Sequence, residues 1–193
     1  TVTGVQTCAL PIWLKRPRRH VSAAHRERQP AALRPNERWS MDFVSDALFD
    51  GRRLRALTVV DAFTREALAI EVDTSLPSAR VTRILDQIAE WRGLPAKLRF
   101  DNGPEFTADA VTAWLARAQV GPTYIEPRAL WQNGYIESFH DKFRDECLNR
   151  EWFSSLAEAR VIIERWRRHY NIRRPHSALG YQTPAQFAAA YAT

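Results

Sequence analysis

Three acidic residues could do chemistry together, and each lies in a different kind of local sequence. Asp42 lies in the apolar segment WSMDFV, Asp101 follows a short apolar run in LRFDNGPEF, and Glu137 lies near the start of GYIESFHDKFRDECLN. Thirty-five residues separate Asp101 from Glu137. A cluster of carboxylates in a basic chain can hold Mg²⁺ against a phosphate backbone. The pattern therefore points to cleavage and joining of DNA strands, provided that the fold brings the three acids together.

The segments around Asp42 indicate a meander of three strands. Alternating bulky and small residues predict a strand at Trp39–Val44, and Asp50-Gly51 is a typical hairpin-turn pair. Two further β-rich segments follow at Arg53–Asp61 and Ala67–Val72. Because short turns connect the three segments, we expect them to form neighbouring antiparallel strands.

Helix and strand patterns alternate in the rest of the chain. Strands are predicted at Lys97–Phe100 and Val120–Ile125. Helices are predicted from a Ser78 cap to Trp91, after a cap at Thr107 or Asp109, over Gly134–Asn149, after Ser154 or Ser155, and from Thr183-Pro184. The apolar face of the first helix comprises Val81, Ile84, Leu85, Ile88 and Trp91. This order predicts an α/β fold in which helices flank a mixed five-stranded sheet.

The two aspartates have different local supports. Strand alternation puts Asp42 on one face with Ser40 and Val44, and an acid among apolar neighbours is costly to bury unless it is paired or binds a metal. Asp101 follows a strand, the position where α/β folds place ligand groups. An aspartate before Asn-Gly is also an ordinary turn former, so this simpler reading stays open.

Glu137 lies on the border of an amphipathic helix. The predicted buried face comprises Ile136, His140, Phe143 and Cys147, and the adjacent stripe comprises Glu137, Asp141, Arg144 and Leu148. A metal ligand needs such a place between core and solvent. An acid in the first turn also interacts favourably with the helix dipole, which is its ordinary structural explanation.

Several other residues near the acids are candidates for lesser roles. Arg144 can point at phosphates from the same stripe as Glu137, whereas Lys142 lies off the stripe and is expected at the surface. Trp131, in the loop before the helix, can pack against DNA. His140 is expected to be a buried, hydrogen-bonded histidine rather than a ligand. Asp61 is expected to form a turn with Thr64 and Arg65.

The charge of the chain is unevenly distributed. The net charge is +6, with a local charge of +6 over residues 13–38, −4 over 39–141 and +4 over 142–175. Two readings stay open: ordinary solvated surface, or a metal-binding core between two basic arms that follow a phosphate backbone.

Length and composition limit the possible classes of protein. The 193 residues suit one domain with an extension, and 45% hydrophobic residues are enough for a proper core. We found no apolar run of about 18 residues and therefore expect no membrane span. Two cysteines, Cys8 and Cys147, do not make a disulfide framework, so a reducing cytoplasm is the expected location and Cys147 is expected to be a small core residue.

The front of the chain differs from the rest. Residues 1–12 resemble the translation of a sequencing adapter, which predicts a non-native leader, and an ordinary disordered terminus is the alternative. Residues 13–38 are interpreted as a basic linker, 39–150 as the catalytic core and 151–193 as its helical extension.

Four segments in order resemble one known family. WSMDFV, LRFDNGPEF, NGYIESFHDKFRDECLN and HYNIRRPHSALGYQTPAQF are similar to the integrase-like transposases of bacterial insertion sequences, in particular the catalytic second-frame product of the "IS-three" group. The resemblance runs from about residue 33 to 190 and includes the D,D(35)E interval of retroviral-type integrases.

This resemblance implies a fold, a site and a reaction. It implies a ribonuclease-H-like fold and two Mg²⁺ ions, for which Mn²⁺ can substitute, bound by Asp42, Asp101 and Glu137. It implies DNA cleavage and strand transfer at insertion-sequence ends and target DNA, with self-association on that DNA. Arg144 matches the family's basic position seven residues after the glutamate.

The resemblance leaves some roles open. Arg173, Arg174 and His176 can contact DNA or lock the last helices together, and we favour the structural role. Family members normally carry helix-turn-helix segments before the core, so we do not expect this chain alone to recognise the element ends. The alternatives to an active transposase core are an inactive DNA-binding remnant and a ribonuclease-H-like nuclease.

Overall fold

Five β-strands form one sheet in this computed structural model, which describes residues 31–100, 109–124 and 134–191. The strands are β1 (Arg38–Ala47), β2 (Arg53–Asp61), β3 (Ala67–Asp73), β4 (Lys97–Phe100) and β5 (Gly121–Tyr124). The helices are α1 (Ser78–Arg92), α2 (Asp109–Ala118), α3 (Gly134–Glu146), α4 (Leu156–Ile172) and α5 (Pro184–Ala189). Single 3₁₀ turns lie at Leu148–Arg150 and Ser177–Leu179.

The sheet is mixed, as the sequence predicts. Its strand order is β3-β2-β1-β4-β5. The meander of β1, β2 and β3 is antiparallel, whereas β4 pairs with β1 in parallel and β5 with β4 in parallel. Strand β1 is therefore central, between the antiparallel and the parallel halves.

Each face of the sheet has its own hydrophobic core. Trp39 and Met41 of β1 pack into one cluster with apolar residues of α1 and α2. Val44 packs into the other cluster with Phe139 and Phe143 of α3 and with residues of α4. The strand alternation predicted for β1 is thus confirmed, and it directs the even-numbered residues, including Asp42, toward α3.

Helix α4 covers the edge of the sheet at β3. Arg167 donates to the carbonyl of Ala67 at 2.8 Å, and the Asn171 amide both donates to and accepts from the Ala67 backbone. Arg160 donates to the carbonyl of Val72 at 2.9 Å. These contacts satisfy backbone groups that an edge strand would otherwise leave unpaired.

Some predicted helix ends and faces were wrong. Pro77, not Ser78, occupies the cap position of α1 and makes no side-chain capping bond. Trp91 is 60% exposed rather than inward-facing, because the next residue, Arg92, takes the inner position and forms ion pairs with Glu66 and Asp61.

Other predicted ends were confirmed or shifted by a few residues. Ser155 caps α4 and Thr183 forms a capping box at the start of α5. Helix α3 ends at Glu146 rather than Asn149, since the chain tightens into the 3₁₀ turn there. Within the described residues, we find no helix that is long and apolar enough to cross a membrane.

Candidate active site

Asp42 lies in the middle of β1, and its carboxylate faces α3. Its Oδ1 accepts a hydrogen bond from the Phe43 N–H at 2.7 Å, and its Oδ2 lies 3.7 Å from Nδ1 of His140. The Asp42 side chain is 27% exposed. A central strand therefore holds this carboxylate in place while solvent can still reach it.

Glu137 lies in the first turn of α3 and is mostly exposed. Partial burial of its carboxyl raises the pKa of Glu137, with a further contribution from the nearby Asp141 carboxylate. We find no ion pair to Glu137 from any basic side chain of the described residues. A carboxylate with no ion-pair partner among the described residues would be stabilised by a bound positive ion.

The same flank of α3 that carries Glu137 contacts the sheet. His140 lies one turn after Glu137 and reaches Asp42, and Arg144 donates from Nη2 to the carbonyl of Ser45 at 3.3 Å. Residues three or four apart are neighbours on a helix surface, with about 5–6 Å between their Cβ atoms. The structure thus brings the helix of Glu137 against the strand of Asp42.

The third acid of the predicted set, Asp101, lies outside the described residues, as does Trp131. Strand β4, which precedes Asp101 in the sequence, lies beside β1, and Arg99 of β4 pairs with Ser40 of β1. Each of these paired residues precedes a candidate acid by two positions in the sequence.

His140 is hydrogen-bonded, as predicted. Its Nε2 lies 2.8 Å from the Thr58 hydroxyl, and its side chain is 14% exposed. Burial lowers the pKa of His140 to about 4, and the positive charge of Arg144 contributes to the shift.

Two residues of this region were not predicted from the sequence. Thr58 lies opposite Asp42 in the register of β1 and β2, and only knowledge of that register could have revealed it. Phe139 is buried and packs on Trp166 and Tyr170, although it was not included in the predicted buried face. Leu148 was assigned to the half-exposed stripe but is buried, because α3 ends before it.

The candidate DNA-contact residues have diverse surroundings. Lys142 donates to the carbonyl and the hydroxyl of Ser138 within its own helix. Arg173 is exposed, whereas Arg174 forms an ion pair with Glu146 that joins the ends of α4 and α3. The predicted structural role of Arg174 is therefore supported, and a role of any of these residues in DNA contact stays a prediction.

Asp61 forms a turn, as predicted. It is fully buried, and its Oδ1 accepts hydrogen bonds from the backbone of Phe63 and Thr64. Its Oδ2 accepts from the backbone of Asn36 at 2.9 Å. Both oxygens of the Asp61 carboxylate therefore accept backbone hydrogen bonds, which gives Asp61 a structural role.

Asp42 and Glu137 are chemically suited to a divalent metal. Carboxylate oxygens are the ligands that Mg²⁺ and Mn²⁺ take in phosphate chemistry. In the described part of the chain, we see no group of three or more His, Cys, Asp or Glu side chains that could hold a metal ion. The predicted set has two members there, and its third member is Asp101.

Comparison with known proteins identifies the family. The integrase core domain family matches residues 32–129, and a second integrase core domain description matches residues 118–184. The chain belongs to the integrase core domain family, which confirms the resemblance found in the sequence.

Relatives with similar sequences come from bacterial insertion elements. The 39.2 kDa protein of insertion element IS476 of Xanthomonas euvesicatoria is 56% identical over 87% of this chain and 49% of its own length. The 31.7 kDa protein of IS407 of Burkholderia multivorans is 52% identical over 84% and 60%. Transposase InsD of IS2 of Escherichia coli is 28% identical over 81% and 54%. The chain therefore spans about half the length of these relatives.

A solved structure confirms the fold. The catalytic core domain of HTLV-2 integrase, in complex with magnesium, aligns with a TM-score of 0.58 over 81% of this chain and 98% of that chain. The sequence identity is 18%, so this likeness concerns the fold alone. The predicted ribonuclease-H-like fold is confirmed.

Proposed function

We propose that this chain is the catalytic core of a DNA transposase that cleaves and transfers DNA strands with divalent metal ions. The observation that carries the proposal is the meeting of β1 and α3, where His140, one turn after Glu137, lies 3.7 Å from the Asp42 carboxylate. Membership of the integrase core domain family and the insertion-element relatives support it.

Asp42, Asp101 and Glu137 are the proposed catalytic residues. Bound Mg²⁺ or Mn²⁺ would supply the charge that activates the attacking oxygen and stabilises the leaving oxygen. The carboxylates would position this charge. A water molecule or a DNA 3′-hydroxyl would attack phosphorus and lose its proton to solvent. The bond to the leaving oxygen would break, that oxygen would take up a proton from solvent, and no bond would form between protein and DNA.

Basic residues around the site would hold the phosphate backbone. Arg144 lies on the flank that carries Glu137, and its guanidinium is exposed. Lys142, Arg173 and Trp131 are further candidates, whereas the ion pair of Arg174 with Glu146 favours a structural role. Such contacts position DNA without reading its sequence. We expect the protein to act as a multimer on insertion-sequence ends and target DNA in the bacterial nucleoid.

Strand cleavage by matched acid variants tests this proposal. The full chain is incubated with supercoiled and short duplex DNA, with Mg²⁺ or Mn²⁺. Asp42→Asn and Glu137→Gln are expected to lose at least about 100-fold in cleavage rate, because each removes a ligand of the metal ions. Asp141→Asn is the control, since it removes a neighbouring carboxylate of α3 outside the proposed set.

The outcomes separate the possible functions. Cleavage that survives both Asp42→Asn and Glu137→Gln would refute the site. Cleavage of an RNA–DNA hybrid without joining of DNA ends would indicate a ribonuclease-H-like nuclease. DNA binding without cleavage by the unaltered chain would indicate an inactive remnant.

A further inference from the structure

Thr58 connects the two elements that carry the proposed metal ligands. It is fully buried in β2 and is the strand partner of Asp42 in β1. Its hydroxyl donates to the carbonyl of Asp42 at 3.0 Å and lies 2.8 Å from Nε2 of His140 in α3. One hydroxyl therefore touches both the strand of Asp42 and the helix of Glu137.

The hydrogen bonds determine which ring nitrogen of His140 carries a hydrogen. A threonine hydroxyl has one hydrogen, and the Asp42 carbonyl can only accept, so this hydrogen is used there. The Thr58 oxygen must then accept from His140, which places a hydrogen on Nε2. The other ring nitrogen, Nδ1, faces the Asp42 carboxylate at 3.7 Å.

Aromatic packing joins α3 to α4. Phe139 packs on Trp166 and Tyr170, and Phe143 packs on Trp166. These ring contacts have preferred geometries and hold α3 against α4. Hydrogen bonds have a narrow range of distance and angle, so the Thr58–His140 contact fixes α3 relative to the sheet.

We propose that Thr58 and His140 are positioning residues that set the separation between the Asp42 and Glu137 carboxylates. His140 is one helical turn from Glu137, so a shift of His140 moves Glu137 with it. Misplacement of catalytic groups by about 1 Å is enough to impair a site. The inference rests on the proposed function for its consequence in catalysis, but its geometric content does not depend on metal or DNA.

Three threonine variants of the full chain test this inference. Thr58→Val keeps the shape and removes the hydroxyl, whereas Thr58→Ser keeps the hydroxyl. Thr64→Val is the matched control, because Thr64 is equally buried and loses a hydroxyl bonded to Glu66 rather than to a side chain of α3. Mn²⁺ binding is measured without DNA by isothermal titration calorimetry, and cleavage is measured as a function of Mn²⁺ concentration.

We expect Thr58→Val to weaken Mn²⁺ binding about 10–100-fold, the usual loss when an outer partner of a metal ligand is removed. The Mn²⁺ concentration for half-maximal cleavage should rise in parallel, and Thr58→Ser should restore both to within about three-fold of the unaltered chain. Thr64→Val should lower the thermal unfolding temperature without changing Mn²⁺ affinity. Unchanged Mn²⁺ affinity in Thr58→Val, or no rescue by Thr58→Ser, would overturn the inference.

A crystal structure of Thr58→Val separates this inference from the proposed function. The separation of the Asp42 and Glu137 carboxylates should differ from that in the unaltered chain, with no metal or DNA required. An unchanged separation would overturn the positioning role. Absence of Mn²⁺ binding by the unaltered chain, with a changed separation in Thr58→Val, would instead count against the proposed metal site alone.

Discussion

The two ends of α3 each carry a glutamate, and the two glutamates have opposite surroundings. Glu137, in the first turn, is mostly exposed, lies near Asp141 and has no ion-pair partner among the described residues. Glu146, at the last turn, accepts three hydrogen bonds of 2.6–2.9 Å from the guanidinium of Arg174. The Glu137 carboxylate is open to a ligand, whereas the Glu146 carboxylate is bound to Arg174.

This difference shows that the partner of an acid, rather than its place on a helix, indicates its role. Burial raises the pKa of Glu137, whereas the hydrogen bond with Glu146 raises the pKa of Arg174. Glu146 fastens α3 to the chain that follows α4. The C-terminal end of α3 is thus held by this ion pair, and Glu137 lies at the opposite end.

The largest expected effect is the loss of cleavage activity in a variant of Glu137, without a loss of stability. Glu137→Gln should reduce metal-dependent strand cleavage at least about 100-fold, because it removes a charged ligand. Its free energy of unfolding should change by less than about 0.5 kcal/mol, since no ion pair among the described residues is lost. Cleavage assays and urea unfolding, followed by circular dichroism, measure the two quantities.

Glu146→Gln is the matched control for that prediction. It makes the same chemical change at the other end of the same helix. Its cleavage rate should stay within about three-fold of the unaltered chain at a temperature where both are folded. A loss of cleavage as large as that of Glu137→Gln would remove the distinction between the two ends.

The second prediction concerns the stabilising effect of the Glu146–Arg174 ion pair. Both side chains are about three-quarters shielded from solvent, with 29% and 23% exposure, and the contact is multiply hydrogen-bonded. A double-mutant cycle with Glu146→Gln and Arg174→Gln should give a coupling free energy of about 1–2 kcal/mol, between the values of exposed and fully buried pairs. Urea unfolding of the four proteins measures it. A coupling near zero would mean that this end of α3 is held by apolar packing alone.

The third prediction concerns pH and the buried His176. Its ring packs edge-on against Tyr170 at a centroid distance of 4.7 Å. Burial, with a contribution from the positive charges of Arg174 and Lys142, lowers the pKa of His176 to about 4. Because the unfolded chain binds the proton more readily, the stabilisation is present above pH 6.5 and is lost as the pH falls toward 4.

The His176→Phe variant measures that contribution. Between pH 7 and pH 5, the unaltered chain should lose roughly 2 kcal/mol more unfolding free energy than His176→Phe. His169→Phe is the control, since His169 is exposed on α4. Equal pH slopes for the unaltered chain and His176→Phe would show that His176 does not resist protonation in the fold.

The smallest expected effect concerns Arg144, which lies between the two ends of α3. Arg144→Gln should weaken DNA binding about two- to five-fold and reduce the salt dependence by about one phosphate contact. Fluorescence anisotropy at several salt concentrations measures both. Arg150→Gln is the control, because Arg150 is also exposed and also donates to a backbone carbonyl, that of Asp145. An equal loss in the two variants would indicate general electrostatic attraction rather than a contact near the site.

Local patterns predicted much of the fold. The strands Arg53–Asp61 and Lys97–Phe100 have the predicted ends, and Thr183 caps the last helix as expected. Alternation in β1 indicated the face of Asp42 correctly. These features depend on neighbours in the sequence, so single-sequence patterns contain the necessary information.

Contacts between distant segments could not be predicted in the same way. Neither the pairing of Asp42 with Thr58 nor the ion pair of Glu146 with Arg174 has a local signal, because each depends on the strand register or on helix packing. Trp91 and Leu148 were assigned wrongly because both lie next to helix ends, where the helical period no longer determines burial. The acids of the candidate site could therefore be predicted from the sequence, but the residues that position them could not.

Location of a bound divalent metal tests the central claim most directly. Crystals of the full chain grown with Mn²⁺ would show its position by anomalous scattering. We expect a peak about 2.1 Å from carboxylate oxygens of both Asp42 and Glu137, and no peak at Glu146. A peak bound elsewhere, or none at Asp42 and Glu137 in crystals that contain Mn²⁺, would contradict the assignment of these two acids to a metal-dependent active site.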